Sequence, residues 1–183
     1  AEFLSRLTSA QSTLTVNDTS VSKFERNKLI NKVFGNSIKK AFKVYGQNFS
    51  ENNEEIFAEA SHNGYEKNFK CIHKRKILIE KSTNNLFGTD QILKKEDGRP
   101  INYSIRFHLY PGLSAVKTIS GNSVLIQLSR NKSLIFSVNN ENILLEKGIF
   151  LGSNKILDNT CLTITGNLVN KDKLIHWEIK KKI

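Results

Sequence analysis

Three groups of residues have the types and spacing for chemistry. His62 and Tyr65 lie in the run 61–65 (SHNGY). An imidazole and a phenol so close can serve as an acid–base pair. A turn histidine can equally well just hydrogen-bond backbone. The second group is a row. Successive strand side chains alternate faces, so Arg106, His108 and Tyr110 share one face of the stretch 103–110. A guanidinium clamps a carboxylate or sulfate, and an aromatic ring packs on the face of a sugar. The plainer alternative is an ordinary outward strand face. The third group interrupts an apolar row. One face of 69–79 (FKCIHKRKILI) reads Phe69, Cys71, His73, Arg75, Ile77, Ile79. Arg75 is a further cation available to an acidic substrate. His176 falls on the polar face of the last strand and reads as an exposed side chain.

Several chemistries lack their residues. No histidines pair as His-x-His or His-x₃-His, so there is no local metal clamp. There is no Gly-x-Ser-x-Gly elbow and no phosphate-binding P-loop. Cys71 and Cys161 are too few and too far apart for a disulfide framework or a zinc ribbon. Both sit at apolar strand positions and read as buried free thiols. A single disulfide between adjacent strands is the alternative.

The elements that must position these residues are short strands. Alternating or β-branched segments recur about every 10 residues from residue 12 to residue 179, separated by polar turns. The 62–64 turn (HNG) reads as one using left-handed backbone, since Gly accepts positive φ and Asn tolerates it. Residues 23–36 have only partial helical spacing and read as a short helix or an irregular excursion. Helical crossovers are missing, which excludes a doubly wound α/β fold. A fixed-period repeat is also missing, which counts against a solenoid. The expected fold is all-β, an antiparallel β-sandwich of two packed sheets with little helix. At 183 residues the chain fits one domain, 1–183, that can bury a core without staples.

The net charge of +11 invites a polyanion or nucleic-acid reading. Most lysines are scattered over strand faces and turns, as on solvated surfaces and protected sheet edges. Aromatic residues do not interleave with them as in a base-stacking module, so no nucleic-acid partner is expected. No apolar run approaches the roughly 20 residues of a membrane span. The chain starts at Ala1 and contains no Met, which reads as a piece of a longer protein.

Five motifs in register carry a resemblance: 8–13 (TSAQST), 61–65 (SHNGY), 73–76 (HKRK), 105–111 (IRFHLYP) and the closing segment around Trp177. Together they resemble the C-terminal β-sandwich of heparinase II/III-like proteins, in the bacterial branch of that family. The resemblance covers essentially the whole chain. It implies a polysaccharide lyase in which an N-terminal α/α toroid, absent here, packs on the sandwich and a uronic-acid-containing glycan lies between them. Cleavage there is β-elimination: the uronate carboxyl is neutralised, a base removes the C5 proton and an acid protonates the leaving oxygen. His62, Tyr65 and His108 are the catalytic candidates on this view. Arg75, Arg106, His108 and Tyr110 are the substrate-binding ones. The compartment is left open between periplasm and cytoplasm.

The sequence departs from the family pattern at informative places. Gln11 stands where the family often has a zinc-ligand histidine, and a neutral amide is a poor zinc ligand beside imidazole. Asn63 stands where Asp is common, and Tyr110 where a second His is common. No cofactor is therefore expected in this fragment, although zinc occurs in the family. The expected function is the sandwich of a polysaccharide lyase, inactive alone and acting with the missing toroid on an acidic polysaccharide. The alternative is a non-catalytic module that binds acidic glycans or acts as a scaffold.

Overall fold

A computed structural model describes residues 5–25, 27–35, 38–40, 42–152 and 155–182. Two antiparallel sheets pack face to face. The smaller has the order β1–β8–β13–β12, and the larger the order β4–β5–β6–β7–β14–β11–β10–β9. In the small sheet, β1 is Leu14–Val16, β8 Ile101–His108, β12 Ile143–Gly152 and β13 Lys155–Leu168. In the large sheet, β4 is Val44–Glu51, β5 Glu55–His62, β6 Cys71–Glu80, β7 Asn85–Lys94, β9 Ser114–Lys117, β10 Ser123–Ser129, β11 Lys132–Val138 and β14 Lys173–Lys182. A two-stranded ribbon, β2 (Lys23–Phe24) and β3 (Ile38–Lys40), carries helix α1 (Lys28–Phe34). It forms an excursion between β1 at the edge of one sheet and β4 at the edge of the other. Asn27 caps α1 by accepting from the backbone N–H groups of Leu29 and Ile30, as an N-cap asparagine should. Arg26, Asn36, Ser37 and Ala41 of this stretch lie outside the described residues. The expected sandwich with little helix is the architecture found.

Alternation builds the core. Ile105 on β8, Ile164 on β13 and Leu14 on β1 are fully buried and share the inner face of the small sheet. Ile175 and Trp177 on β14, with Phe136 on β11, line the inner face of the large sheet. Phe107 crosses the gap: its ring lies 4.8 Å from both Phe136 and Trp177. Gly88, opposite Trp177 on β7, makes room for the indole. A Cβ there would sit 2.0 Å from Trp177 Cζ2.

Four details differ from the sequence reading. Phe69 is not in a strand: it ends a single helical turn, α2 (Glu66–Phe69), which Lys70 closes in the left-handed region at φ 54°. The 62–64 turn uses no positive φ. Gly64 is small there for space, because a Cβ would stand 2.8 Å from Val21 Cγ1 and 3.2 Å from His62 Nδ1. Residues 143–152 form one strand, longer than the short ones expected, because β12 pairs with β13 without interruption from Ile143 to Gly152. The short edge strand β9 has no counterpart in the sequence reading. Cys71 and Cys161 are both buried and free. Among the described residues, no helix is long and apolar enough to cross a membrane.

Gly88→Ala should lower stability by at least about 2 kcal/mol, because a bulky ring in a filled core cannot step aside. Urea unfolding of the two proteins measures this directly, and equal midpoints would contradict the packing described.

Candidate functional site

Two polar constellations stand out, one inside the sandwich and one on the outer face of the small sheet. The inner one centres on Asp90, which is 0% exposed. Its carboxylate accepts from His73 Nε2 at 2.5 Å, from Arg75 Nε at 2.8 Å and Nη2 at 3.0 Å, and from Trp177 Nε1 at 2.8 Å. Sheet register makes this possible: Arg75 is the direct cross-strand partner of Asp90, and Trp177 stands on the next strand. The Arg75 guanidinium also lies over the rings of Phe107 and Trp177, at 5.5 and 5.8 Å, and donates from Nη1 to the Ser12 carbonyl. Burial alone would raise the Asp90 carboxyl. The hydrogen bond from His73 and the Arg75 charge outweigh it and bring the carboxyl down to about 2.

His73 continues the chain outward. Its Nδ1 stands 3.2 Å from His62 Nε2, and His62 Nδ1 accepts from the Gly64 backbone N–H at 3.3 Å. The two facing nitrogens have room for one hydrogen between them. Burial, with the charges of His73 and Arg75 added, pulls His62 down to about 4. Tyr65, 1% exposed, donates its hydroxyl to the Leu14 carbonyl at 2.9 Å. Its ring centroid is 5.8 Å from that of His62. Burial raises the phenol well above its ordinary range. The structure thus puts His62, Tyr65 and Arg75 within or beside one buried network, with both ring nitrogens of His62 engaged.

The outer constellation gathers the other expected residues. Ile105 and Phe107 point into the core, so Arg106 and His108 face outward from β8, with Tyr110 just beyond. The N-terminal segment, including a 3-10 turn at Thr8–Ala10, lies against this face. Two adjoining cavities of about 210 and 400 Å³ open between that segment and β12, with His108 in the wall of both. Arg106 and Glu146 line the smaller; Gln11, Tyr110 and Asn159 line the larger.

Each cleft residue has a definite setting. Arg106 donates from Nη1 to Thr15 Oγ1 at 2.6 Å and stands 3.8 Å from the exposed Asp18 carboxylate. His108 Nε2 donates to the Ser9 carbonyl at 2.9 Å, while its backbone N–H donates to Ser12 Oγ at 2.9 Å. Tyr110 is 69% exposed, its ring edge-on to Phe150 at 5.3 Å. Cys161 lies 3.9 Å from His108 Nε2, and burial pushes its thiol up, away from nucleophile behaviour. Asn159 donates to the Leu109 carbonyl at 2.7 Å. His176 is exposed, as its strand position predicts, and pairs with Thr89 Oγ1 at 3.2 Å.

The residues present do not fit a zinc ion at Gln11. Its amide donates to the Ser5 carbonyl at 2.9 Å. Among the described residues His108 is the only imidazole in the cleft walls. Among the described residues no three His, Cys, Asp or Glu side chains stand together as a ligand set. Sequence reasoning missed Asp90 and Asn159. A histidine and an arginine facing inward from β6 were the available signal for a buried acid on a neighbouring strand.

An antiparallel sandwich with a polar cleft against its smaller sheet is the class of protein these features define. The sequence profile described as heparinase II/III-like, C-terminal matches residues 3–178, and the chain belongs to that family. Heparan sulfate lyase HepC from Pedobacter heparinus has the same fold, with TM-score 0.74 at 15% identity over 98% of this chain and 25% of its own. Two heparinase III structures align with TM-scores of 0.69 and 0.65 at 12% and 15% identity, over 97% and 93% of this chain and 24% and 23% of theirs. This chain therefore spans about a quarter of the length of those lyases. No curated protein matches it by sequence.

Acid should weaken the fold in two windows. Unfolded histidine titrates near 6.5 and His62 near 4, so between these values the unfolded chain binds a proton that the folded chain refuses. Stability is full above pH 6.5 and falls by up to about 3 kcal/mol as pH drops to 4. The Asp90 contribution, present above the unfolded value of 3.8, is lost as pH falls towards 2. Urea midpoints across pH 7 to 4 should show the first slope, and His62→Gln should flatten it. An unchanged slope in that variant would refute the assignment.

Proposed function

We propose that this chain is the sandwich of a polysaccharide lyase that cleaves uronic-acid-containing glycans by β-elimination, and that the cleft on its smaller sheet is one wall of the substrate site. The observation that carries this reading is the placing of Arg106, His108 and Tyr110 in one cleft of a fold shared with a heparan sulfate lyase. Arg106 pairs with a uronate carboxylate. That interaction lowers the barrier to removing the C5 proton, because the carbanion formed there delocalises into the carboxyl group. Tyr110 packs on a sugar face, and Gln11 and Ser12 supply polar contacts at the larger end. His108 borders both cavities; its Nε2–H is given to Ser9 and its Nδ1, the nitrogen left to take a proton, is buried inside the wall, so it shapes the wall while the abstracting base comes from elsewhere. His62, Tyr65 and Arg75 keep the sandwich in shape on this reading. The base, the acid for the leaving oxygen and the opposite wall belong to an N-terminal toroid of the same protein.

Gln11 favours a second reading, a non-catalytic module for acidic glycans, since its amide is turned to Ser5 instead of holding a metal. The two readings part on turnover by the full-length protein.

The test is ultraviolet absorbance of the unsaturated uronate product over a panel of acidic glycans. The full-length protein should turn over at least one. The chain 1–183 alone should turn over none, since half a cleft forfeits the orientation term, worth up to roughly 7–11 kcal/mol. Arg106→Ala in the full-length protein should lower kcat/KM about 10- to 100-fold, the weight of a charge-assisted hydrogen bond. Turnover by the isolated chain, or full activity without Arg106, would overturn the proposal.

A further inference from the structure

The excursion between β1 and β4 has a composition unlike the rest of the chain. Residues 23–43 hold seven lysines or arginines and one acid, Glu25, so 21 residues carry +6 of the net +11. The same stretch exposes large apolar side chains: Leu29 is 75% exposed, Val33 73% and Ile38 52%, with Ile30 at 39%. On α1 the spacing 29, 30, 33 puts three of these on one side of the helix. Single exposed apolar residues need no explanation, but several on one short projecting element do.

We propose that this excursion contacts the surface of an anionic bilayer. Leu29, Ile30, Val33 and Ile38 enter the boundary between headgroups and acyl chains, and the exposed Lys23, Lys32 and Lys43 meet lipid phosphates. The pairing of projecting apolar side chains with a basic surround is what an interfacial contact requires. A soluble acidic glycan would answer the charge but offers little apolar surface to cover Leu29 and Val33. The cavities on the small sheet are lined by other residues, so the contact leaves the cleft open. Phe42, edge-on to His62 at 5.4 Å, and Phe24, under the Arg6 guanidinium at 5.4 Å, anchor the excursion to the sandwich. The inference does not depend on the lyase reading.

The experiment is co-sedimentation of the full-length protein with phosphatidylglycerol–phosphatidylcholine vesicles and with pure phosphatidylcholine vesicles at 0.15 M and 0.5 M salt. Binding is expected to the anionic vesicles at the lower salt and to be lost from the neutral ones. Leu29→Ser with Val33→Ser should lower partitioning at least about tenfold with the melting temperature unchanged, because both side chains are exposed. Lys32→Glu with Lys43→Glu should do the same. Absence of binding to anionic vesicles would overturn the proposal. So would binding indifferent to the serine pair, or binding of heparin in place of vesicles that is lost with that pair.

Discussion

A carboxylate with no exposure to water has to be answered entirely by protein donors, and in this molecule Asp90 sets that requirement. Four hydrogen bonds meet it, from residues on β6 and β14. Each donor fixes a relation between strands. Arg75 pairs β6 with β7 in one register, since a slip of one residue would turn its guanidinium to the solvent face. Trp177 can reach the carboxylate only by lying across β7, and Gly88 is the residue that lets it. Removing one partner from a buried charge cluster costs about 3–5 kcal/mol, because the remaining charge is stranded. The centre of the larger sheet therefore has little freedom in sequence or register.

The same constraint reaches the cleft through Ser12. Its carbonyl accepts from Arg75 inside the sandwich, and its hydroxyl accepts from the His108 backbone N–H. The segment that roofs the cleft is thus held by the interior network at one residue and by His108 Nε2 on the Ser9 carbonyl at another. Gln11 lies between these two anchors. Its position in the cleft wall is decided less by its own side chain than by the serines on either side. Arg106 is placed by the alternation of β8, whose inner residues Ile105 and Phe107 are locked into the core.

What was legible in the sequence follows from range. Alternation is local, so the strands, the all-β class and the shared face of Arg106 and His108 could be read from residues two apart. The left-handed backbone expected at 62–64 rested on residue preference. The actual reason for Gly64 is contact with Val21, forty-three positions away in the chain and invisible to preference. Phe69 was drawn into a strand by its apolar neighbours, whereas one helical turn intervenes before Cys71. Asp90 could not be paired with Arg75 until the register of β6 on β7 was known. Asn159 enters the cleft because β13 already begins at Lys155, ahead of Cys161, the position that the sequence placed in a strand.

Charge shows how misleading a total can be. On the larger sheet, Lys74 and Lys76 stand 3.0 and 3.6 Å from the Glu59 carboxylate, and Lys180 stands 2.7 Å from Glu178. Elsewhere Lys81 meets Glu51 and Lys95 meets Glu66. Exposed pairs like these add little stability, but they cancel the field that a scattered lysine would otherwise contribute. The excursion alone carries +6 of the net +11, and the smaller cavity of the cleft is lined by Arg106 and Lys147 beside Glu146. A polyanion approaching this domain is therefore not drawn to a uniformly basic body. It meets a sandwich with many paired charges, a cleft lined by Arg106 and Lys147, and a separate basic element whose apolar side chains ask for a different kind of partner.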